Sequence, residues 1–150
     1  MDAIRLLTDD HREVKELFHE YESAGERAHK RKQRIVEQVF HALQAHTRVE
    51  EETFYPAVQA KADHEGEELV AESRQEHHVV DVLMSEMQTL EPDNPEYEAK
   101  FKVLMENVEH HAKEEKKEMF PLAKQRLRDE LKELGERMQQ RKDELMVVAR

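Results

Sequence analysis

His46-Thr47-Arg48-Val49-Glu50-Glu51-Glu52-Thr53-Phe54-Tyr55-Pro56 returns near the other end of the chain as His111-Ala112-Lys113-Glu114-Glu115-Lys116-Lys117-Glu118-Met119-Phe120-Pro121. Each copy reads His, Glu four residues on, a bulky apolar residue, an aromatic, and a proline ten residues after the histidine. Residues at i and i+4 share one face of a helix, so each block offers a nitrogen and a carboxylate oxygen to a common point. The His-x3-Glu spacing carries little alone in a chain so rich in Glu. His64 and His110 also have a Glu four residues downstream, without the aromatic-proline ending in that register. The information lies in the repeat of the whole block.

Around each block runs a helical apolar stripe. Val36, Val39/Phe40, Leu43, His46, Glu50, Phe54 and Val58 mark a long helix over about 28–62, with a kink expected at Pro56 because proline removes a backbone donor. Phe101, Leu104, Val108, His111, Glu115, Met119 and Leu122 mark another from about Glu96. In both, a His and a Glu occupy places that the pattern reserves for the core. Two further helices are expected over about 8–23 and 67–90, with Leu6 and Leu7 as a lead-in and with Gly25, Gly66 and Glu91-Pro92-Asp93-Asn94-Pro95 as breaks. A tail helix over about 125–148 carries Leu127, Leu131, Leu134, Met138 and Leu145, weakened at Gly135, and this seam must cover the bundle or a second chain.

The chain is internally duplicated. Asp10-His11 leads to His46, and Glu76-His77 leads to His111, after nearly equal intervals. The fold class is therefore all-α: an up-down-up-down four-helix bundle over 1–124, with an extra C-terminal helical segment over 125–150. Antiparallel packing brings His11, His46, His77 and His111 to one level, together with Glu50 and Glu115. Burying such a cluster without a cation costs several kcal/mol per ionised group, on the order of the usual penalty for unpaired charge. A lone helical histidine is ordinarily a surface or hydrogen-bonded residue. Four in phase with a core and related by a repeat read as metal ligands, with Glu50 and Glu115. His78 and His110 lie about 100° round from that face, Glu51 and Glu114 are similarly turned away, and His19, His29, His41 and His64 read as solvated. Asp81, one turn after His77, is a further candidate that ligates or orients a ligand. Phe54, Tyr55, Met119 and Phe120 read as core packing around the site, and Phe54, Met119 and Phe120 are expected to keep bulky molecules out. Nitrogen and oxygen donors without sulfur suit iron, manganese or zinc, and two bridging carboxylates with four imidazoles suit two ions better than one.

Composition agrees. Charged residues are 39% of 150, with 3 Gly and 4 Pro, against about 25% charged in ordinary soluble domains; long helices with charged outer faces have this make-up. The formal net charge of −11 argues against nucleic acid or an anionic membrane as partner. Without cysteine there is no thiolate site or disulfide. With neither an apolar leader nor a spanning run, a cytoplasmic location is the expectation.

These residues resemble the hemerythrin family, in its bacterial HHE cation-binding branch, over about residues 8–122: Asp10-His11, His46-x3-Glu50 with Phe54-Tyr55-Pro56, Glu76-His77, and His111-x3-Glu115 with Phe120-Pro121. The resemblance implies a four-helix bundle with an oxo- or hydroxo-bridged non-haem di-iron centre, both Glu bridging, that binds O2 or serves sensing of oxygen, iron or nitric oxide. Two positions depart from the oxygen carriers. Asp81 stands where they have a second third-helix His, and His111-x3-Glu115 replaces their His-x4-Asp. The expected function is a di-iron protein, with manganese or zinc as alternative metals, reacting with a small diatomic or peroxide in sensing, iron handling or protection. The alternatives are a di-iron enzyme consuming peroxide or nitric oxide, and an interaction module with a structural metal whose C-terminal seam binds a partner; a homodimer through the C-terminal helix is a further expectation.

Overall fold

The computed structural model describes residues 1–25 and 27–149; Glu26 and Arg150, the last residue of the expected extension, lie outside them. Helix α1 spans Ala3–Ser23, and the Asp2 carboxylate caps it by accepting from the Arg5 N–H at 2.8 Å. It therefore begins earlier than the periodicity implied: Leu6 and Leu7 are fully helical and nearly solvent-free. Helix α2 (His29–Val49) runs through a π-turn at Glu50–Phe54 into α3 (Tyr55–Lys61). Helix α4 spans Asp63–Met87, entered through Asp63 at φ 52°, a left-handed conformation that Asp tolerates. Gly66 is thus inside α4 rather than in a connection, and a Cβ there would meet Ala62. Helix α5 (Pro95–Glu114) is capped by Asn94, which accepts from the Glu96 N–H at 2.9 Å. It continues through a second π-turn at Glu115–Met119 into α6 (Phe120–Arg126). Leu127 lies in the next turn, and α7 spans Leu131–Ala149.

The two π-turns coincide with the repeated block. Tyr55 N–H bonds to Glu50 C=O and Phe120 N–H to Glu115 C=O, each reaching back five residues. In a regular α-helix the rings of Pro56 and Pro121 would press on the carbonyls four residues earlier. A widened turn just before each proline relieves that clash, so the expected kink takes the form of an inserted residue.

Two apolar clusters fill the bundle. One holds Val14, Phe18, Val39, Leu43, Met84, Met87, Phe101 and Leu104. The other holds Leu6, Leu7, Phe54, Tyr55, Val58, Met119, Phe120 and Leu127. The His and Glu residues form the layer between them. Helix α7 lies against α1 and α2, burying Leu134 and Met138, so its seam covers the chain's own bundle. Gly135 lets the backbone of Met1 and Asp2 approach where a Cβ would collide, so it serves this contact. Among the described residues, no helix is long and apolar enough to cross a membrane.

Candidate metal centre

Each arm of the bundle brings its stripe residue to the same layer. His46, Glu50, His77, His111 and Glu115 are buried, and the His11 side chain keeps 17% of its surface exposed. Their donor atoms form two trios, His11/His46/Glu115 and Glu50/His77/His111, each within 4.8 Å of one another. The carboxylates reach across both. Glu50 Oε1 lies 3.0 Å from His46 Nε2 and 3.2 Å from His77 Nε2. Glu115 places Oε1 3.1 Å from His11 Nε2 and Oε2 3.5 Å from His111 Nε2. Two sites that share two carboxylates in this way can hold a pair of cations.

The donor set fits metal on a second observation. His11 Nε2, His46 Nε2, both Glu50 oxygens and Glu115 Oε1 are buried, and none makes a directed hydrogen bond among the described residues. Buried polar atoms are ordinarily paired. These instead converge on one volume, with lone pairs available to a Lewis acid.

The opposite ring nitrogens are held. His46 Nδ1 lies 2.9 Å from Asp10 Oδ2, and His111 Nδ1 lies 2.7 Å from Glu76 Oε1. A carboxylate at Nδ1 fixes the tautomer that leaves Nε2 free to ligate and raises its basicity. Asp10 immediately precedes His11 and orients His46 of the following helix, and Glu76 immediately precedes His77 and orients His111 in the same way. The repeated acid-His pair is their signal in the sequence, where on its own it marks only the duplication. Asp10 has an additional partner: Lys142 of α7 donates to Oδ1 at 2.6 Å.

Tyr55, expected as packing, enters the site. Its hydroxyl donates to Glu115 Oε2 at 2.8 Å and stands 3.3 Å from both His77 Nε2 and His111 Nε2. At about 100° per residue, an unbroken helix would set Tyr55 roughly 140° from Glu50; the inserted residue brings it back to roughly 40°. The second π-turn does the same for Phe120, whose ring stacks on His11 at 5.9 Å.

The electrostatics follow from burial. Desolvation would lower the pKa of His46, but Glu50 and Asp10 outweigh it and hold the imidazolium well above its usual range. His111 behaves likewise: burial opposes the charge, Glu115 and Glu76 overcome it, and its pKa is pushed up to about 10. Glu115 is driven up by burial but ends well below the ordinary carboxylate value through Glu50, His111 and His11. Asp10 and Glu76 end low for the same reason, with burial outweighed by His46 and Lys142 in one case and by His111 in the other.

Asp81 is not brought to the centre. It is exposed and lines an open surface depression with Glu51, Arg74, His78 and the edge of His77, outside both trios. His78, His110, His19, His29, His41 and His64 are exposed as expected. Glu51 stands behind His77, with Oε2 3.8 Å from Nδ1. A third trio, Glu76/His110/Glu114, is largely solvated, and Glu76 is already engaged by His111.

A cavity of about 390 Å3 reaches the centre from solvent between α1, α2, α4 and α5, lined by His11, His46, His77, His111 and Phe120. Phe54 and Met119 pack in the apolar cluster with Leu6, Leu7 and Leu127 and do not line this cavity, so the barrier expected from them does not stand on this side.

The model of the hemerythrin HHE cation binding domain matches residues 2–123. The fold is similar to the crystal structure of a hemerythrin HHE cation binding domain-containing protein from Mycobacterium kansasii. The TM-score is 0.80 at 26% identity, covering 97% of this chain and 87% of that one. No curated protein sequence matches significantly.

Proposed function

The chain belongs to the hemerythrin HHE cation-binding family, and from that premise we propose that its buried layer holds two non-haem iron ions and reacts with O2, nitric oxide or peroxide in sensing, iron handling or protection. The observation that carries the reading is the set of orphaned donor atoms converging from three arms of the bundle, with His77 of α4 completing the second trio and both carboxylates reaching across the two trios. Nitrogen-oxygen donor sets without sulfur suit iron, with manganese and zinc as competitors. Two irons held by these residues would supply one-electron redox chemistry and a place for a small ligand to bind.

The protein's own groups do the rest. Toward a bound cation His11, His46, His77 and His111 would present Nε2 as neutral donors, His46 and His111 giving up a proton on binding, and Asp10 and Glu76 hold those two rings in the tautomer that allows it. Glu50 and Glu115 balance cationic charge inside a layer walled by apolar clusters. The Tyr55 hydroxyl is a further oxygen donor at the Glu50/His77/His111 trio. In the unmetallated chain, burial first, then Glu50 and Glu115, keep it protonated and donating to Glu115. The cavity at His11 and His111 favours a reactive centre over a purely structural metal, which needs no entry path.

The test is metal analysis and an optical spectrum of protein expressed with iron, before and after anaerobic reduction, followed by addition of O2, nitric oxide or azide. About two irons per chain and a spectral response to at least one of these are expected. Stoichiometric iron with no response to any of them overturns the reactive reading, and absence of bound iron overturns the metal assignment.

A further inference from the structure

The cavity over the imidazoles is far larger than a diatomic requires. Its volume of about 390 Å3 compares with ~30 Å3 for one water, and lies near the lower end of the roughly 300–1,000 Å3 typical of small-molecule pockets. Val14 and Phe18 of α1, Leu43 of α2, Val80 of α4 and Val108 of α5 supply its apolar walls. Such walls give ordered water few partners and give a small polar ligand nothing to hold. They suit a hydrocarbon segment.

The mouth has the opposite chemistry. Lys15 on α1, Lys113 at the end of α5 and Lys116 in the second π-turn line it and are exposed. None of the three is in an ion pair among the described residues, whereas Arg12 beside them is held by Asp9 at 3.1 Å. Asp10 and Glu76 face histidines, which leaves Glu109 as the counter-charge along this lining. The chain as a whole carries −11. The exposed part of the lining thus carries net positive charge on a chain that is otherwise acidic, and a local excess of cations attracts an anion that the rest of the surface repels.

We propose that this cavity binds a medium-chain carboxylate, with its head group among Lys15, Lys113 and Lys116 and its alkyl chain on Val14, Phe18, Leu43, Val80 and Val108. The bound molecule lies between the candidate metal centre and solvent, and so controls entry of small ligands. The proposal uses the metal reading for the floor of the cavity only; walls and rim are independent of it.

Calorimetric titration of the iron-loaded full chain with hexanoate, octanoate and decanoate tests it, with acetate and decan-1-ol as head-only and tail-only probes. Binding at one site per chain is expected, tightening by up to about fourfold per added methylene until the cavity is filled. The triple variant Lys15→Gln/Lys113→Gln/Lys116→Gln, with iron content checked, is expected to bind decanoate at least about tenfold more weakly, the equivalent of ~1.4 kcal/mol. Octanoate and decanoate should slow azide association with the iron-loaded wild type. No saturable decanoate binding overturns the proposal, as does binding indifferent to the three lysines. Acetate binding as tightly as decanoate also overturns it, by assigning the head group to the metal alone. If the wild type holds no iron, the metal reading fails; the chain-length and lysine comparisons on the same protein then judge this proposal as before.

Discussion

Replacing Lys142 by Met separates the contribution of α7 from that of the bundle. The Lys142 ammonium donates to Asp10 Oδ1 at 2.6 Å, and Asp10 Oδ2 meets His46 Nδ1 at 2.9 Å. The Asp10 side chain is 6% exposed and that of Lys142 22%. Met retains the apolar stem and removes only the charge, so Asp10 loses one of two partners inside the bundle. Breaking a fully buried pair costs about 3–5 kcal/mol; here His46 remains and Lys142 is partly solvated, so about 2 kcal/mol is the working figure. At this chain length each kcal/mol moves Tm by about 2–4 °C, giving a drop of roughly 4–8 °C in the metal-free protein by scanning calorimetry. With Asp10 less firmly placed, His46 loses orientation, and metal affinity should fall about tenfold, the low end for a group that positions a ligand. Lys132→Met on the same helix removes the same charge at an exposed position and serves as control. A Lys142→Met protein whose Tm and metal affinity both match that control would refute the reasoning.

Glu50→Ala and Glu115→Ala should each lower metal content, read by elemental analysis, because each carboxylate touches histidines of both trios; full retention in both variants removes the bridging assignment. Asp81→Ala should leave metal content and Tm unchanged, since Asp81 is exposed and outside the donor set; loss of one equivalent of metal would return it to the site. Tyr55→Phe in iron-loaded protein should remove any phenolate-to-iron absorption band while the helical circular dichroism persists, and an identical spectrum would confine Tyr55 to hydrogen bonding. His111, raised to about 10, and His46, raised in the same direction, stabilise the metal-free chain fully below the unfolded value of about 6.5 and lose that contribution as pH climbs through the folded pKa. Metal requires them neutral, so zinc binding near pH 7 should release protons and tighten as pH rises; calorimetry in buffers of different ionisation heat measures this, and zero proton release would contradict the assigned charge states.

Much of the centre was legible in the chain itself. His11, His46, Glu50, His77, His111 and Glu115 stand out because a helix has a fixed period, so a polar residue in an apolar stripe is visible as a break in the pattern. The duplication then sets their common level, since two antiparallel hairpins of equal length have one geometry. The residues that period-counting misplaced are those where the helix departs from its period or where partners are remote in sequence. Tyr55 reaches the centre only because the π-turn at Glu50–Phe54 inserts a residue and rotates the helix beyond it. Asp81 satisfies the spacing from His77 yet points to solvent, because sharing a helix face with a buried residue does not guarantee burial at the edge of that face. Lys142 meets Asp10 across 132 residues, and nothing in the tail's pattern distinguishes it from Lys132, the other lysine there. Local pattern determined which helices form and which faces turn inward, because backbone hydrogen bonding and hydrophobic burial act along each helix separately. Which charged side chain answers which buried carboxylate, and what shape of cavity remains above the histidines, depended on how five helical arms pack together.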